Sequence, residues 1–534
     1  MSTLVEEIVP QELGIDPIRF PGWRPGQYQI FMDTMDCQTR FSGHCAPCGF
    51  GKSLCMICYA LTTGSRTLIL TPFKGLQDQL GKEFPDTVTD LKGKANYYCM
   101  TMQTNCEMGA PRCDVRNSIM GAGLCDHKAA TNRAIHADIV VTNYSCWFHQ
   151  MYGQGIGEFD TIIMDEADAA ESALSEFLSF SLSSKEALGD SGKNRAPHWN
   201  DPLRAWIEWA KEAVKPMRSM VAQAERDAKE SDDRRVLERF FHLRNLFKKL
   251  ATLAEIQIED WVCEPAKDGI RFDPIWPGKF AEKYLFRGIK RVILFSGTLN
   301  RKAFELLGVR QDQYTFYDYD SPFHPARNPL ILAPLGNFRY PIAPQLMIQA
   351  IDFFDNLVDQ RKNVKGILHT ISFDHLEQFI ERSRHVNLFI SNDVKYAGGM
   401  RRTENVVESF KEATAPAVLA SPSITSGWDF PDDFCRYQFI LKVPFPTTQS
   451  TVAKARKKLD PEYHDNLAMT SLIQMCSRPC RSVYDYNENI ITDVRVGWFL
   501  ANKKHLAAKW FLGARGSGRY RRLNEGVVPE PIRG

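Results

Sequence analysis

The amino-acid sequence predicts an α/β protein, and three features of its patterning predict it. β-type apolar runs recur and stop abruptly: Thr67-Leu68-Ile69-Leu70-Thr71 ends at a proline, Thr161-Ile162-Ile163-Met164 in carboxylates, and Val292-Ile293-Leu294-Phe295 in Ser-Gly-Thr. A small-residue loop ending at Ser53 precedes an apolar segment and then the first of those runs, which reads as loop, helix, strand. From residue 172 to 255 apolar positions recur at helical spacing with charged opposite faces, the pattern of a helical subdomain.

Bulk properties narrow the function classes. At 534 residues the chain can hold several units with substantial cores, and 44% hydrophobic with 24% charged residues is ordinary for a globular protein. A net charge of +2 is too small to make the whole surface attract nucleic acid, so such binding needs local basic grooves. No run approaches the roughly 18 apolar residues of a membrane span, and the N-terminus lacks a signal-peptide pattern; a cytoplasmic location is expected. Fourteen cysteines in a large chain without that signal favour thiolate ligands or buried thiols over disulfides.

The loop Ala46-Pro47-Cys48-Gly49-Phe50-Gly51-Lys52-Ser53 follows the phosphate-loop pattern G-x-x-x-x-G-K-[ST], with Ala46 in place of the first glycine. Gly49 and Gly51 would let backbone N–H groups curl around phosphate oxygens. Lys52 would reach the β and γ phosphates, and Ser53 would offer its hydroxyl to Mg²⁺ at a helix N-terminus. Downstream, the strand-like run into Asp165-Glu166-Ala167-Asp168 supplies the complementary part. Asp165 would hold Mg²⁺, and Glu166 would orient or deprotonate the water attacking the γ phosphate.

Further segments fall in a fixed order around this pair. They are Arg24-Pro25-Gly26-Gln27, Thr71-Pro72-Phe73-Lys74-Gly75-Leu76-Gln77-Asp78-Gln79, Ala137-Asp138-Ile139-Val140-Val141-Thr142-Asn143-Tyr144 and Ser296-Gly297-Thr298-Leu299, then Lys365-Gly366-Ile367-Leu368-His369-Thr370, the stretch from Ala420 to Pro431, and the stretch from Gln474 to Arg481. In this order they resemble the motifs of the DinG/XPD family of superfamily 2 helicases. The resemblance implies that Arg24 and Gln27 read adenine, that the segment from Thr71 contacts DNA, and that Ser296 to Leu299 couples the two activities. It further implies that Gly427 and Asp429 contribute to the nucleotide site, and that Gln474, Arg478 and Arg481 supply its far wall. Arg478 and Arg481, three apart on one helix face, are the arginine-finger candidates. Ser426, Ser477 and Asp168 depart from the family pattern, where Glu, Gly and His are usual.

Cys99, Cys106, Cys113 and Cys125 lie between these motifs, with six, six and eleven residues between successive thiols. The absence of a C-x-x-C pair among these four counts against an ordinary zinc ribbon, and four loop thiolates can hold a [4Fe-4S] cluster; zinc and plain buried thiols are the alternatives. DinG/XPD proteins carry their cluster here, after a segment that Leu91, Lys92, Gly93, Asn96, Tyr97 and Cys99 match, so the resemblance implies these four as ligands, with Cys146 a nearby fifth thiol.

With that resemblance the expected architecture is α/β with two RecA-like parallel-sheet domains, the first interrupted by an Fe–S cluster loop domain and a helical arch insertion. The expected division is 1–90, 136–171 and 259–300 for the first domain, 91–135 for the cluster segment, 172–258 for the arch and 301–534 for the second domain. The basic C-terminal tail reads as a solvated end. The implied activity is ATP-dependent, 5′-to-3′ DNA helicase or translocase action, with ATP, Mg²⁺ and the cluster as cofactors. Expected partners are single-stranded and forked DNA, with DNA–RNA hybrids as further candidates, and the protein is expected to act as a monomer away from membranes. Length and altered motifs suit a phage or mobile-element member. The rival readings are a non-processive or protein-displacing translocase and a metal-binding nucleic-acid adaptor with an inert core, the latter opposed by intact Lys52, Asp165, Glu166, Arg478 and Arg481.

Overall fold

Strands buried on both faces of a parallel sheet read as continuous apolar runs, because neither face meets solvent. That is how the runs at 67–71, 139–143 and 161–164 are used: every residue of each strand is buried. The computed structural model describes residues 8–100, 103–109, 125–150, 155–192, 195–231, 233–392, 403–424, 428–479, 482, 484–513 and 518–532. The first sheet runs, in spatial order, Tyr314–Asp318, Phe41–Cys45, Arg291–Ser296, Thr161–Met164, Thr67–Thr71, Ile139–Asn143 and Thr89–Asp90, with all neighbours parallel.

The second sheet runs Phe389–Ser391, Ala417–Ala420, Lys365–His369, Tyr437–Ile440, Glu488–Asp493, Leu330–Gly336 and Tyr520–Arg522, again all parallel. The α/β class with two parallel-sheet domains is therefore as expected. Nucleotide sites in such folds form outside the carboxyl ends of the strands, and the phosphate loop and the carboxylates both leave the first sheet there.

Three expectations need correction. The boundary at 301 falls too early, because Tyr314–Asp318 is the edge strand of the first sheet, paired Phe41↔Tyr314 to Cys45↔Asp318. What holds it there is Phe304, fully buried, whose ring stacks on Tyr314 with centroids 4.0 Å apart. Gly43 makes this packing possible, since a Cβ there would stand 2.5 Å from the Phe304 ring. The insertion after the carboxylates is not purely helical. Its long helices, Leu203–Glu230 and Arg234–Glu255, pack through Trp206, Ala210 and Met217 against Phe240, Leu246 and Leu250. They stand on a three-stranded antiparallel sheet of Phe180–Leu182, Gly269–Pro274 and Trp261–Ala266. The C-terminal tail is not simply solvated: Tyr520–Arg522 pairs with Leu330–Leu332, and buried Arg519 donates to the carbonyls of Phe511 and Asn328.

Candidate nucleotide site at the domain cleft

The phosphate loop leaves the Phe41–Cys45 strand, and its first residue, Ala46, is buried with its N–H on the Ser296 carbonyl at 3.2 Å. Gly49 and Gly51 take φ of +76° and +81°, the left-handed region in which side chains are strained. Lys52 then begins the helix Lys52–Thr63, with Ser53 beside it, half-buried. Gly51 is required for a second reason, because a Cβ there would meet Gln27 Nε2 at 2.3 Å.

Gln27 does not present its amide to an open base site. It is buried, its Oε1 accepts from the Arg24 N–H at 2.7 Å, and its Nε2 donates to the carbonyls of Phe50 at 2.9 Å and Gly51 at 3.1 Å. Both ends of the amide are thus engaged in bracing the loop from behind, while exposed Arg24 reaches Gly49 O at 3.4 Å.

The Thr161–Met164 strand delivers Asp165, buried, with its backbone N–H on Leu70 O at 2.8 Å. Glu166 follows at φ +45°, a strained conformation for a residue other than glycine. The turn brings its Oε1 to 3.6 Å from Lys52 Nζ and lets its Oε2 accept from Ser296 Oγ at 3.0 Å. Ser296 Oγ also stands against Asp168 Oδ1, so one hydroxyl proton serves two carboxylates. Burial, and next the Glu166 charge, push the carboxyls of Asp165 and Asp168 above the ordinary range. Three clustered carboxyls, with the Lys52 ammonium acting on Asp165 and Glu166, leave excess negative charge in a poorly solvated place, which a divalent cation would relieve; Asp165 and Ser53 suit Mg²⁺.

The second domain closes the site. Gln474, on the helix Tyr463–Cys476, donates from Nε2 to Asp168 Oδ2 at 2.8 Å. Asp168, a departure from the family pattern, therefore bridges Ser296 of one domain and Gln474 of the other. Ser477 needs no glycine, since it ends that helix at φ −97°. Arg478 is buried, and its Nη1 donates to Trp428 O at 2.6 Å, joining the two neighbouring motifs of the second domain. Asp429 is exposed on the same loop. Arg481, Gly427 and Ser426 lie outside the described residues. A cleft lined by Pro47, Cys48, Asn328, Ser477, Trp510 and Arg519 separates the phosphate loop from the second domain. Trp510 donates to Gly297 O at 2.8 Å, a contact no local motif announces.

Of the four expected cluster ligands, Cys113 lies outside the described residues. Cys99 and Cys106 come from one hairpin, Tyr98–Cys99 against Thr104–Asn105, with the Cys106 N–H on Tyr97 O at 2.8 Å. Cys125 caps the helix Asp126–His136, and Tyr97 packs edge-on against His127 at 5.2 Å. Among the described residues no three possible ligands gather into a metal site, so these thiols do not by themselves form a ligand set. Cys146 is buried and its thiol is pushed upward by that burial, which makes it a poor ligand.

Residues 24–181 match the DEAD/DEAH box helicase family, and residues 357–511 match the helicase C-terminal domain. The solved structure titled XPD_Helicase aligns over 94% of this chain and 99% of its own, at 12% identity and a TM-score of 0.65. This chain carries a DEAD/DEAH box helicase domain and a helicase C-terminal domain, on a fold shared with XPD. The structure titled XPD_APO, at 14% identity and a TM-score of 0.60, and Xpd4 of S. tokodaii, at 12% and 0.56, share the helicase fold, each over 94% of this chain and 100% of its own. No curated protein matches the sequence. The two helicase domains imply ATP-dependent activity with Mg²⁺. Among the described residues no helix is long and apolar enough to cross a membrane.

Proposed function

We propose that this helicase moves 5′ to 3′ along single-stranded DNA and separates forked duplexes, drawing one strand past the insertion. The observation that carries the ATP-driven part of the reading is Asp168 bridging Ser296 and Gln474 across the cleft, because it ties the carboxylate cluster to the second domain; polarity and the DNA track follow from the sequence resemblance. In this reading the phosphate-loop N–H groups and Lys52 bind the phosphates, Asp165 and Ser53 hold Mg²⁺, and Glu166 orients the attacking water. Mg²⁺, when bound, offsets charge building on the transferring phosphoryl oxygens. Arg478 and Arg481 complete the far wall, and Gly427 and Asp429 contribute to the nucleotide site from the neighbouring motif.

A single-stranded nucleic-acid track is supported by Phe73, 46% exposed, and Lys74 beside it at the carboxyl end of the Thr67–Thr71 strand, a pairing suited to base stacking and phosphate contact. The same reading assigns a [4Fe-4S] cluster to Cys99, Cys106, Cys113 and Cys125, on the strength of the sequence resemblance and the hairpin shared by the first two. No step of hydrolysis passes through it. The deciding experiment compares 5′-tailed with 3′-tailed duplexes under ATP: displacement confined to 5′-tailed substrates is expected, and displacement confined to 3′-tailed ones, or to RNA duplexes, would refute the proposal.

A further inference from the structure

Outside the nucleotide site, one guanidinium at the seam between the domains collects partners from three separate elements. Arg456 lies on the second-domain helix Thr451–Leu459 and is buried. Its Nε donates to Ile275 O at 2.7 Å and its Nη1 to the Tyr463 hydroxyl at 2.6 Å. Nη2 donates to Ser175 Oγ at 3.0 Å and Pro274 O at 3.2 Å. Glu171 Oε1 faces Nη1 at 3.1 Å as an ion-pair partner, and the Tyr463 hydroxyl passes its own proton toward Glu171 Oε2 at 3.4 Å.

The placement of these partners gives the cluster its meaning. Glu171 and Ser175 belong to the helix Ala170–Leu178 that follows Asp165–Asp168, so they move with the hydrolytic carboxylates. Pro274 ends the strand at the base of the insertion, and Ile275 follows it. Tyr463 opens the helix whose far end carries Gln474. That helix is therefore pinned to the first domain at both ends, by Glu171 and Arg456 at one and by Asp168 at the other. A planar fork with this many fixed acceptors cannot be reproduced by a lysine, and removing it strands a buried carboxylate.

We propose that Arg456 is a positioning residue that couples the seating of the insertion to nucleotide hydrolysis, by fixing the Tyr463–Cys476 helix so that Gln474 meets Asp168. It touches neither nucleotide nor strand. The inference rests on the helicase reading above. A strand drawn against the insertion shifts the Pro274–Ile275 segment, and the shift reaches Gln474 through Arg456.

The test measures steady-state ATP hydrolysis by the purified full chain, with and without single-stranded oligodeoxynucleotide, for wild type, Arg456→Met, Arg456→Lys and Ser175→Ala, with the fold checked by thermal melting. Arg456→Met should lower the strand-stimulated kcat about tenfold while ATP KM and the unstimulated rate stay within about twofold. Arg456→Lys should recover part of the loss, and Ser175→Ala should show a two- to threefold fall of the same kind, about the effect of one lost hydrogen bond. The two milder variants carry the test if Arg456→Met does not fold. Equal losses with and without the strand would mean a merely structural role and overturn the inference, as would unchanged stimulation in the folded variants. A wild type that no strand stimulates would sink the helicase reading and this inference with it, whereas a stimulated wild type with unaffected variants sinks the inference alone.

Discussion

Replacing Gln474 with Ala removes the side-chain bond that crosses the cleft onto the carboxylate cluster, the 2.8 Å contact from Nε2 to Asp168 Oδ2. A hydrogen bond to a charged acceptor contributes about 1.5–3 kcal/mol net. Asp168 and Gln474 are both half-buried, and Ser296 remains as a partner of Asp168, so the lower end of that range applies. Realised fully in the transition state, ~1.5 kcal/mol corresponds to about a tenfold fall in kcat, with ATP KM nearly unchanged because the lost bond does not touch the phosphate loop. Asp168→Ala, which removes the same contact and the acceptor for Ser296 as well, should lose at least as much, and the double variant should be little worse than Asp168→Ala alone. Nucleic-acid-stimulated steady-state hydrolysis over an ATP titration reads all three. A Gln474→Ala enzyme with wild-type kcat, or losses that simply multiply in the double variant, would refute a role for this bridge.

Lys52→Ala and Glu166→Gln should each abolish stimulated hydrolysis while leaving the melting curve essentially intact, because they remove a phosphate charge and the water-orienting carboxylate; near-normal turnover in either would overturn the site. The raised carboxyl pKa values of Asp165 and Asp168 mean that the native state keeps protons the unfolded chain has released. Stability of the nucleotide-free protein should therefore fall as pH rises above about 4 toward neutrality. Mg²⁺ with a non-hydrolysable ATP analogue should reverse that slope; melting temperatures from about pH 5 to 8, with Asp165→Asn as control, test the sign. Protein purified without oxygen should contain about four irons per chain and absorb broadly near 400 nm, and Cys106→Ser should bleach it while Cys146→Ser does not. A colourless preparation holding stoichiometric zinc would remove the cluster from this account and leave the ATP site untouched.

The sequence by itself determined what depends on short segments. The phosphate loop, the carboxylate-ended strand and the Ser-Gly-Thr turn are each contiguous, and their chemistry follows from backbone freedom and residue type within a few positions. The parallel sheets were legible for the same reason, because burial on both faces writes itself into consecutive residues.

Tertiary structure decided whatever depends on contacts between distant segments. Gln27 resembles a base-reading residue in its local motif, yet its amide is bound to Phe50 and Gly51, which only the folded loop brings near. The strand Tyr314–Asp318 joins the first sheet because Phe304 finds the space left by Gly43, two side-chain volumes more than 250 residues apart in the chain. Tyr520–Arg522 reads as a basic end until the Leu330–Gly336 strand offers it an open edge. Asp168, a departure from the family pattern by its sequence, gains its role from Gln474 on the other domain, and Arg456 from partners on three elements. Pairings of that kind are set by where the chain returns in space, and no local spacing encodes that.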